Sequence, residues 1–293
     1  MAYMNVIVSP FKNPFINLAL EDFFLRGGVD LPVLFFYVNR PCVVMGRFQN
    51  PWLETNQTYL VKNDIWMVRR QSGGGCVFQD EGNLNYSFIY PEGLIDRRKG
   101  VEFIQRSLAR GQINLEISAR HDLWLQGKKI SGSAFKQTKE ASFHHGTFLI
   151  SSDLDKLEES LKASASLVGS KSIPSVRSKV IKLQDIYPDI QISDVIELIA
   201  HEAGAEPLEL DASYLNRFEV QQSFQSLTKW EWLWGETPQF ELSEGIIVHK
   251  GELKAPKQCR FDRNNMQDIL SKEELERFFP DFTHQMSAQD LVF

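Results

Sequence analysis

Three consecutive glycines mark the part of this sequence best suited to surround an anion. Gly73-Gly74-Gly75 follow the pair Arg69-Arg70 and come shortly after a predicted strand, Ile65 to Val68. Glycine permits backbone conformations and close approaches that other residues disfavour, and amides exposed in such a loop can bind an anion. Arg70 could add a charge-assisted hydrogen bond. The loop therefore predicts a phosphate or carboxylate site, with a flexible turn between strands as the structural alternative.

The spacing of these glycines excludes two common nucleotide-binding loops. A Walker A motif ends in Gly-Lys-Ser/Thr, and a dinucleotide fold carries Gly-x-Gly-x-x-Gly. Neither pattern occurs at Ser72 to Phe78. A nucleotide at this loop would have to be bound in another way.

A turn just downstream carries two polar side chains that could reach a ligand. Asp80 and Asn83 flank Glu81-Gly82 and lead into a predicted strand, Asn85 to Tyr90. Both could bind the ribose of a nucleotide, although such side chains in turns usually bond their own backbone. The sequence leaves both interpretations open.

A lysine enters a predicted strand between small residues further along the chain. Lys128-Lys129 precede Ile130-Ser131-Gly132-Ser133-Ala134. Lys128 is expected to be a solvated surface charge, whereas the small neighbours of Lys129 leave room for a ligand whose developing negative charge an ammonium would neutralise. The later pair His144-His145 would point to opposite faces of a strand, which favours a polar network over joint metal binding.

Cap and turn residues predict the elements that position these side chains. Asn13 predicts the cap of a first helix ending at Gly27-Gly28, and Ser193 predicts the cap of a later helix ending at Gly204. Helices are also expected at 101–110 and 154–163. Strands are expected at 33–38, 42–45, 65–68, 85–90 and on both sides of a Gln126-Gly127 turn.

The order of these elements predicts an α+β fold with a mixed or largely antiparallel sheet, because hairpin-like spacings outnumber strand-helix-strand units. Trp230 to Gly235, followed by Pro238, predicts the end of a large catalytic domain over 1–240. A hairpin around Lys250-Gly251, and a helix opened by the capping box of Ser271 and Glu274, predict a small domain over 241–293.

Composition favours a globular protein over one that binds nucleic acid or a membrane surface. The 293 residues are 43% hydrophobic and carry a net charge of −6, which suits neither nucleic-acid phosphates nor anionic lipid. No apolar stretch approaches the ~18–20 residues of a membrane span, and the start lacks a signal-peptide pattern. Cys42, Cys76 and Cys259 form no paired motif, so free thiols in a reducing compartment are expected, the cytoplasm or, for a eukaryotic source, the mitochondrial matrix.

Taken together, three motifs resemble those of the lipoate-protein ligase A family. They are Arg69 to Asn83, Lys129 to Ala134, and His144 to Thr147. Segments that look like further family landmarks follow the family's order at 17–21, 46–52, 175–178 and 230–232. The resemblance covers about the first 240 residues.

The resemblance implies a large mixed α/β catalytic domain related to that of biotin protein ligases, with a small, shortened carboxy-terminal domain. It also implies a set of residues that bind ATP and the adenylate, namely Arg70, Gly73, Gly74, Gly75, Cys76, Val77, Phe78, Asp80, Asn83 and Lys129. For lipoate it implies Arg70, Ser72 and Lys129, with Lys129 as the catalytic residue and no metal-ligating residues. The segment 169–182 resembles the loop that covers the adenylate in this family.

The implied chemistry has two steps. The carboxylate of lipoate or octanoate attacks the α-phosphate of ATP, while Mg²⁺ and Lys129 offset negative charge and pyrophosphate leaves. The ε-amine of an acceptor lysine then attacks the acyl carbon, and AMP departs. The implied acceptors are lipoyl domains of 2-oxoacid dehydrogenase E2 subunits and the H protein of glycine cleavage. The chain is expected to act as a monomer.

The sequence departs from the family pattern at two places. Gln79 stands where the family usually has histidine, and glutamine still offers a donor and an acceptor. The chain beyond Phe240 is short, which leaves open an enzyme that transfers lipoyl or octanoyl groups from a preformed adenylate or an acyl carrier without ATP.

Three further functions remain as alternatives. An acyltransferase that works through a cysteine thioester needs a reactive thiol, and Cys76 is the one cysteine in a candidate site, although a free cysteine is commonly buried and inert. A non-catalytic lipoate-binding protein would not need Lys129 for chemistry. A biotin ligase is disfavoured because the arginine-glycine repeat expected of its nucleotide loop is missing.

Overall fold

The computed structural model describes residues 4–91, 97–139, 141–163, 169–241, 247–250 and 252–254. These residues divide into two compact units. The first comprises residues 4–42, 79–157 and 177–225, and the second comprises 43–78, 158–176 and 226–254. Cys259 and the helix predicted after Ser271 lie outside the described residues, as does Gly251 of the predicted hairpin turn.

Fifteen strands and seven α-helices occur in the described residues. The strands are β1 Asn5–Val8, β2 Val33–Tyr37, β3 Cys42–Met45, β4 Trp66–Arg69, β5 Val77–Gln79, β6 Asn83–Pro91, β7 Glu116–Ile117, β8 Leu123–Leu125, β9 Lys128–Gln137, β10 Ala141–Leu149, β11 Gly169–Ser170, β12 Leu208–Glu209, β13 Phe240–Glu241, β14 Ile247–His249 and β15 Glu252–Lys254. The helices are α1 Pro14–Leu25, α2 Pro51–Glu54, α3 Gln57–Lys62, α4 Arg97–Arg110, α5 Leu154–Ser160, α6 Ile192–Ala203 and α7 Phe218–Thr228. Short 3-10 helices at Leu183–Asp185 and Ala212–Asn216 and a π-helix at Glu231–Gly235 complete the list.

The first unit is built on a mixed eight-stranded sheet in the order β12-β1-β2-β6-β10-β9-β8-β7. Strand β1 pairs in parallel with β2 and β12, whereas β2 with β6, β6 with β10, β10 with β9, β9 with β8 and β8 with β7 pair antiparallel. The structure thus confirms the predicted α+β class and mixed sheet. The long hairpin of β9 and β10 lies within this sheet between β6 and β8, and it carries both the predicted lysine and the predicted histidine pair.

Apolar side chains cover both faces of this sheet. Successive residues of a strand point to opposite faces: Phe36 of β2 belongs to the buried cluster that includes residues of α4 and α6, while Phe35 packs edge to face on Phe24 of α1 with ring centroids 5.0 Å apart. On the first face, Phe103 of α4 meets Phe88 of β6 at 5.5 Å. These helices therefore fix the sheet that presents the candidate catalytic residues.

Local capping signals explain where two helices of the first unit begin and end. The side chain of Asn13 accepts hydrogen bonds from the amides of Phe15 and Ile16, which confirms the predicted cap of α1. The prediction that Ser193 caps α6 is wrong. The cap is Gln191, whose amide donates to Asp194 Oδ2 at 2.8 Å, so Ser193 lies inside the first turn. Gly204 ends the helix as predicted, with φ of +69°.

The second unit contains two smaller sheets. One has three strands in the order β4-β3-β5, and the other has four in the order β11-β13-β14-β15. The antiparallel pairing of β14 with β15 confirms the predicted hairpin in its described residues. Strand β13 contains both Phe240 and Glu241; the division of the chain into domains over 1–240 and 241–293 stays a prediction.

A cluster of aromatic rings stabilises the interior of the second unit. Trp52 of α2 packs against Trp234 at 5.3 Å and against Phe240 at 5.2 Å between ring centroids. All three side chains are buried. Burying an aromatic side chain contributes on the order of 1.5–3 kcal/mol, so this cluster joins the tryptophan-rich segment to the strands around it.

Among the described residues, no helix has both the length and the apolar composition of a membrane span.

Gly82 offers a direct test of the packing in the first unit. A Cβ atom at this position would lie 2.4 Å from backbone atoms of Ser151 and Ser152, whereas one at Gly73 would meet no atom within 4 Å. We expect Gly82→Ala to lower the free energy of unfolding by about 1–3 kcal/mol and Gly73→Ala to change it by less than about 0.5 kcal/mol. Urea denaturation followed by circular dichroism measures both, and equal stabilities would contradict the packing.

Candidate active site

The glycine loop, defined here as residues 70–76, is shaped by the buried side chain of Arg70. Its guanidinium donates to the carbonyl oxygens of Val44 at 2.9 Å, Gly73 at 2.6 Å and Gly75 at 2.8 Å, and its Nε donates to Ser72 Oγ at 3.0 Å. These bonds bend the loop around the arginine. Arg70 and Ser72 thus have structural partners within the loop, and their contacts with nucleotide or lipoate stay predictions.

Two positions around the loop require glycine for steric reasons. Gly74 has φ of +90°, a conformation that favours glycine. A Cβ atom on Gly46 would lie 2.1 Å from the carbonyl oxygen of Gly74, so two stretches of backbone approach each other there. Close approach at Gly46 and a positive φ at Gly74 account for two of the glycines, while Gly73 has open space beside it.

Ser175 binds the amide at the end of the glycine loop. The amide of Cys76 donates to Ser175 Oγ at 2.8 Å, and Gln49 Nε2 donates to the same oxygen at 2.9 Å. The amide of Ser175 in turn donates to the carboxylate of Glu54 at 3.2 Å. The predicted adenylate-covering segment is therefore tied to the loop by hydrogen bonds. Sequence reasoning had placed Gln49 and Ser175 only among family landmarks, and it did not identify Glu54.

Arg69 is fully buried. In the described part of the chain its hydrogen bonds go to neutral oxygen atoms. It donates twice to the carbonyl oxygen of Leu233, at 3.0 and 2.8 Å, and also to the carbonyl oxygens of Arg47 and Gln49 and to Thr237 Oγ1. Desolvation by burial lowers the pKa of Arg69 to about 10. The side chain stays charged at neutral pH, and its role is to join segments of the second unit.

The two cysteines in the described residues are both buried. Cys42 is fully buried in β3, and Cys76 is 8% exposed. Burial raises the pKa of the Cys76 thiol, and the nearby carboxylate of Glu54 raises it further. Since the thiolate is the reactive form of cysteine, neither position suits a nucleophile. Val77 and Phe78 follow in β5, where Phe78 is buried and Val77 is half-buried.

Asp80 and Asn83 form the turn that enters β6. Asp80 accepts hydrogen bonds from the amides of Gly82 at 3.0 Å and Asp153 at 2.8 Å, one on each carboxylate oxygen. Asn83 is fully buried, and its Nδ2 donates to Asn85 Oδ1 at 3.1 Å. These contacts agree with the structural interpretation, in which the two side chains fix the local backbone. Contact of either side chain with a nucleotide stays a prediction.

Gln79 belongs to a buried network of amide side chains. Its Oε1 accepts from Asn39 Nδ2 at 2.7 Å, and Asn39 Oδ1 accepts from Asn17 Nδ2 at 2.8 Å. A glutamine can both donate and accept, so it serves this network at the position where the family usually has histidine.

The backbone of Lys129 is held on both sides. The turn before it uses Gln126 and Gly127, with φ of +49° and +73°, the left-handed pair that a tight hairpin needs. On its other edge the Lys129 amide donates to the carbonyl oxygen of Lys179 at 2.9 Å, and its carbonyl accepts from the amide of Ile181 at 3.0 Å. These bonds fix the backbone from which the side chain of Lys129 extends.

The ammonium group of Lys129 is paired with Asp122, a residue that sequence reasoning missed. Nζ lies 3.0 Å from Asp122 Oδ1, with the side chains 24% and 12% exposed. Gly132 leaves the space that this arrangement uses, because a Cβ atom there would lie 3.1 Å from both Cε and Nζ of Lys129. Lys128, by contrast, is exposed. The contrast between the two lysines agrees with the interpretation of the sequence.

The histidine pair joins two different networks. His144 is stacked on Phe135 with ring centroids 4.6 Å apart, and its Nε2 lies 2.9 Å from Ser133 Oγ. Burial lowers the pKa of His144 to about 3, so the ring is neutral at physiological pH. His145 Nδ1 lies 3.0 Å from Glu21 Oε1 on α1. The expected polar network is confirmed, and no group of three or more metal-binding side chains occurs in the described part of the chain.

Comparisons with known proteins point to one family. Residues 13–204 match the model of the lipoyl protein ligase A/B catalytic domain. The chain is 36% identical to lipoate-protein ligase A of Psychrobacter cryohalolentis, covering 81% of this chain and 74% of that one, and 33% identical to lipoate-protein ligase 1 of Staphylococcus aureus, covering 95% and 85%. The crystal structure of Plasmodium falciparum LipL1 in complex with lipoate is similar with a TM-score of 0.70 and 25% identity, covering 80% and 75%.

Burial of Cys76 predicts a low reactivity of its thiol. In the native protein at pH 7.5 we expect iodoacetamide to alkylate Cys76 at least about tenfold more slowly than in the urea-unfolded protein, because alkylation requires local opening. Peptide mass spectrometry measures the rate, with Cys42 as the matched buried control. Alkylation of native Cys76 at the unfolded rate would contradict an inert thiol.

Proposed function

The chain belongs to the lipoyl protein ligase A/B catalytic domain family, and from this premise we propose that it activates lipoate or octanoate with ATP and transfers the acyl group to a lysine of a lipoyl domain. The observation that carries the proposal is the Lys129 ammonium, half-buried beside Gly132. Its strand pairs with β8 at one edge, and the Lys129 amide and carbonyl bond to residues 179 and 181 at the other. A cation placed in advance is what a reaction between two anions needs.

In the first step the acid's carboxylate oxygen bonds to the α-phosphorus of ATP, and the bond to pyrophosphate breaks. In the transition state negative charge is spread over the non-bridging oxygens of the α-phosphorus and grows on the leaving oxygen. Lys129 offsets that charge without reorganising, because its backbone is fixed and its ammonium is already oriented. Removing one preorganised electrostatic contact of this kind typically costs about 10²–10³ in rate.

In the second step the unprotonated amine of an acceptor lysine attacks the acyl carbon of the mixed anhydride. The new amide bond forms, the bond to the phosphate oxygen breaks, AMP carries away the negative charge, and the proton that the amine loses passes to solvent. Lys129 assists again by polarising the acyl oxygen, since the charge develops within reach of the same ammonium group. One cation therefore serves both halves of the reaction.

Mg²⁺ fits this proposal as a companion of ATP. It keeps several waters and is usually bound through substrate phosphates and one or two carboxylates, so the phosphates of ATP would hold it. When bound, it would neutralise charge on the departing pyrophosphate.

The proposal extends to acceptors, oligomeric state and compartment. Lipoyl domains of 2-oxoacid dehydrogenase E2 subunits are the proposed acceptors, with the H protein of glycine cleavage as a second one. The proposed state is a monomer, and the proposed compartment is a reducing one, since Cys42 and Cys76 form no disulfide in the described residues.

Transfer through a cysteine thioester is not favoured. Such a transferase needs a thiolate in its site, but Cys42 and Cys76 are buried and burial raises the pKa of Cys76. The relatives are also named lipoate-protein ligases. We therefore retain the ATP-dependent ligase as the proposed function.

Lys129→Ala provides the test, with Lys128→Ala as its matched control. We expect Lys129→Ala to lower the rate of lipoyl-domain modification about 10²–10³-fold, and Lys128→Ala to leave the rate within about twofold of the unmodified protein, because Lys128 is exposed. Pyrophosphate release from lipoate and ATP, together with mass spectrometry of an acceptor domain, measures both steps.

The same assay distinguishes the alternatives. A protein that modifies the acceptor from lipoyl-adenylate but releases no pyrophosphate from lipoate and ATP would be a transferase. Full activity of Lys129→Ala, or an equal loss in the two lysine variants, would remove Lys129 from the mechanism.

A further inference from the structure

Asp122 is the one acidic side chain that contacts the candidate catalytic lysine in the described residues. We propose that Asp122 is a positioning residue, which directs the Lys129 ammonium and limits how tightly that ammonium binds the substrate carboxylate. The inference rests on the proposed function, because it concerns the same acylation reaction. It assigns no contact between Asp122 and the reacting atoms.

The contact with Asp122 restricts where the Lys129 ammonium can lie. Lys129 has a fixed backbone, but its long side chain rotates about four bonds, and Gly132 offers no Cβ atom to confine it. The ion pair of 3.0 Å between Nζ and Asp122 Oδ1 defines where Nζ lies. Without it the ammonium could occupy many positions, and misplacement of a catalytic group by about 1 Å can cost ~10²-fold in rate.

Asp122 is itself held in place. Its Oδ1 accepts a bond of 3.4 Å from the amide of Ser133, and its own amide donates to Ser118 Oγ at 3.1 Å. The pairing of β8 with β9 shifts register between Leu123 and Trp124, and such irregularities re-aim nearby side chains. The carboxylate therefore keeps a fixed position relative to β9, the strand that carries Lys129.

Pairing with Asp122 also determines how many N–H donors of the Lys129 ammonium are left for the substrate. Lysine offers three N–H donors. With one directed to Asp122, two remain, which matches one acyl oxygen and one phosphate oxygen. The proposed reaction requires contact with both.

Asp122 also affects how strongly the Lys129 ammonium binds the attacking carboxylate of the substrate. A carboxylate that forms a tight ion pair with an unopposed ammonium is stabilised in the ground state, and stabilising the ground state does not accelerate the chemical step. A counter-ion at 3.0 Å shares the charge of Lys129 and weakens that pairing. More of the electrostatic stabilisation is then left for the transition state, where additional negative charge develops.

Asp122→Asn tests the inference, since it removes the charge and keeps the size of the side chain. We expect the rate of adenylate formation at saturating lipoate and ATP to fall about 10–100-fold, while the affinity for lipoate stays equal or becomes tighter. The affinity for lipoamide, which has no carboxylate, should be unchanged. Single-turnover kinetics and titration calorimetry on the full chain measure these quantities. Glu116→Gln, which removes an exposed charge from the neighbouring strand β7, is the matched control and should behave like the unmodified protein.

A merely structural role for Asp122 predicts a different pattern. Lipoate and lipoamide would then bind more weakly in parallel, and that result would overturn the proposal, as would an adenylation rate equal to that of the unmodified protein. In a Lys129→Ala background, Asp122→Asn should have no further effect on lipoate affinity, because the ammonium through which Asp122 acts is absent, and a change in lipoate affinity in that background would also overturn the proposal. If the unmodified protein itself forms no lipoyl-adenylate, the proposed function fails; if only Asp122→Asn departs from expectation, this inference alone fails.

Discussion

The ion pair between Lys129 and Asp122 is the interaction on which the account of this enzyme depends. Three features of the first unit support this ion pair. The sheet contains β9, helices α4 and α6 pack on the sheet, and the bonds to Lys179 and Ile181 fix the backbone of Lys129. Gly132 then leaves space beside the ammonium. Without such contacts, the long and strongly hydrated side chain of a lysine would be too flexible for the role proposed for Lys129. The fold turns it into one with a defined position, and the cost is a glycine in the middle of a strand.

The glycine loop follows a different principle, because its shape comes from an internal cation. Arg70 bonds the carbonyl oxygens of Val44, Gly73 and Gly75, so the arginine that the sequence suggested as an anion contact first organises the loop itself. The amide of Cys76 donates a hydrogen bond to the hydroxyl oxygen of Ser175. A nucleotide that used this amide would have to replace the serine hydroxyl, and segment 169–182 would then respond to the presence of ligand. Burial of Cys76 in the same loop also explains why chemistry through a thioester does not suit this chain.

Local signals in the sequence were sufficient wherever the structure is decided by neighbouring residues. The cap at Asn13, the Gln126-Gly127 turn and the stop at Gly204 depend on a few adjacent side chains, and all were predicted correctly. Ser193 failed because Asp194 offered a competing cap to Gln191. Asp122 was not identified because its contact with Lys129 reaches from the residue before β8 to β9, and no local pattern predicts how these strands pair or where their register shifts. The bond from Cys76 to Ser175 spans 99 residues of chain, beyond the reach of periodicity or turn statistics.

The most direct test of the central claim is a crystal structure of the protein bound to a non-hydrolysable analogue of lipoyl-adenylate. The account predicts Lys129 Nζ within hydrogen-bond distance, about 2.7–3.2 Å, of both the acyl oxygen and the oxygen at the phosphate position, with Asp122 still bonded to the same ammonium. A bound analogue whose acyl and phosphate oxygens lie far from Nζ, with the lysine turned to solvent, would contradict it.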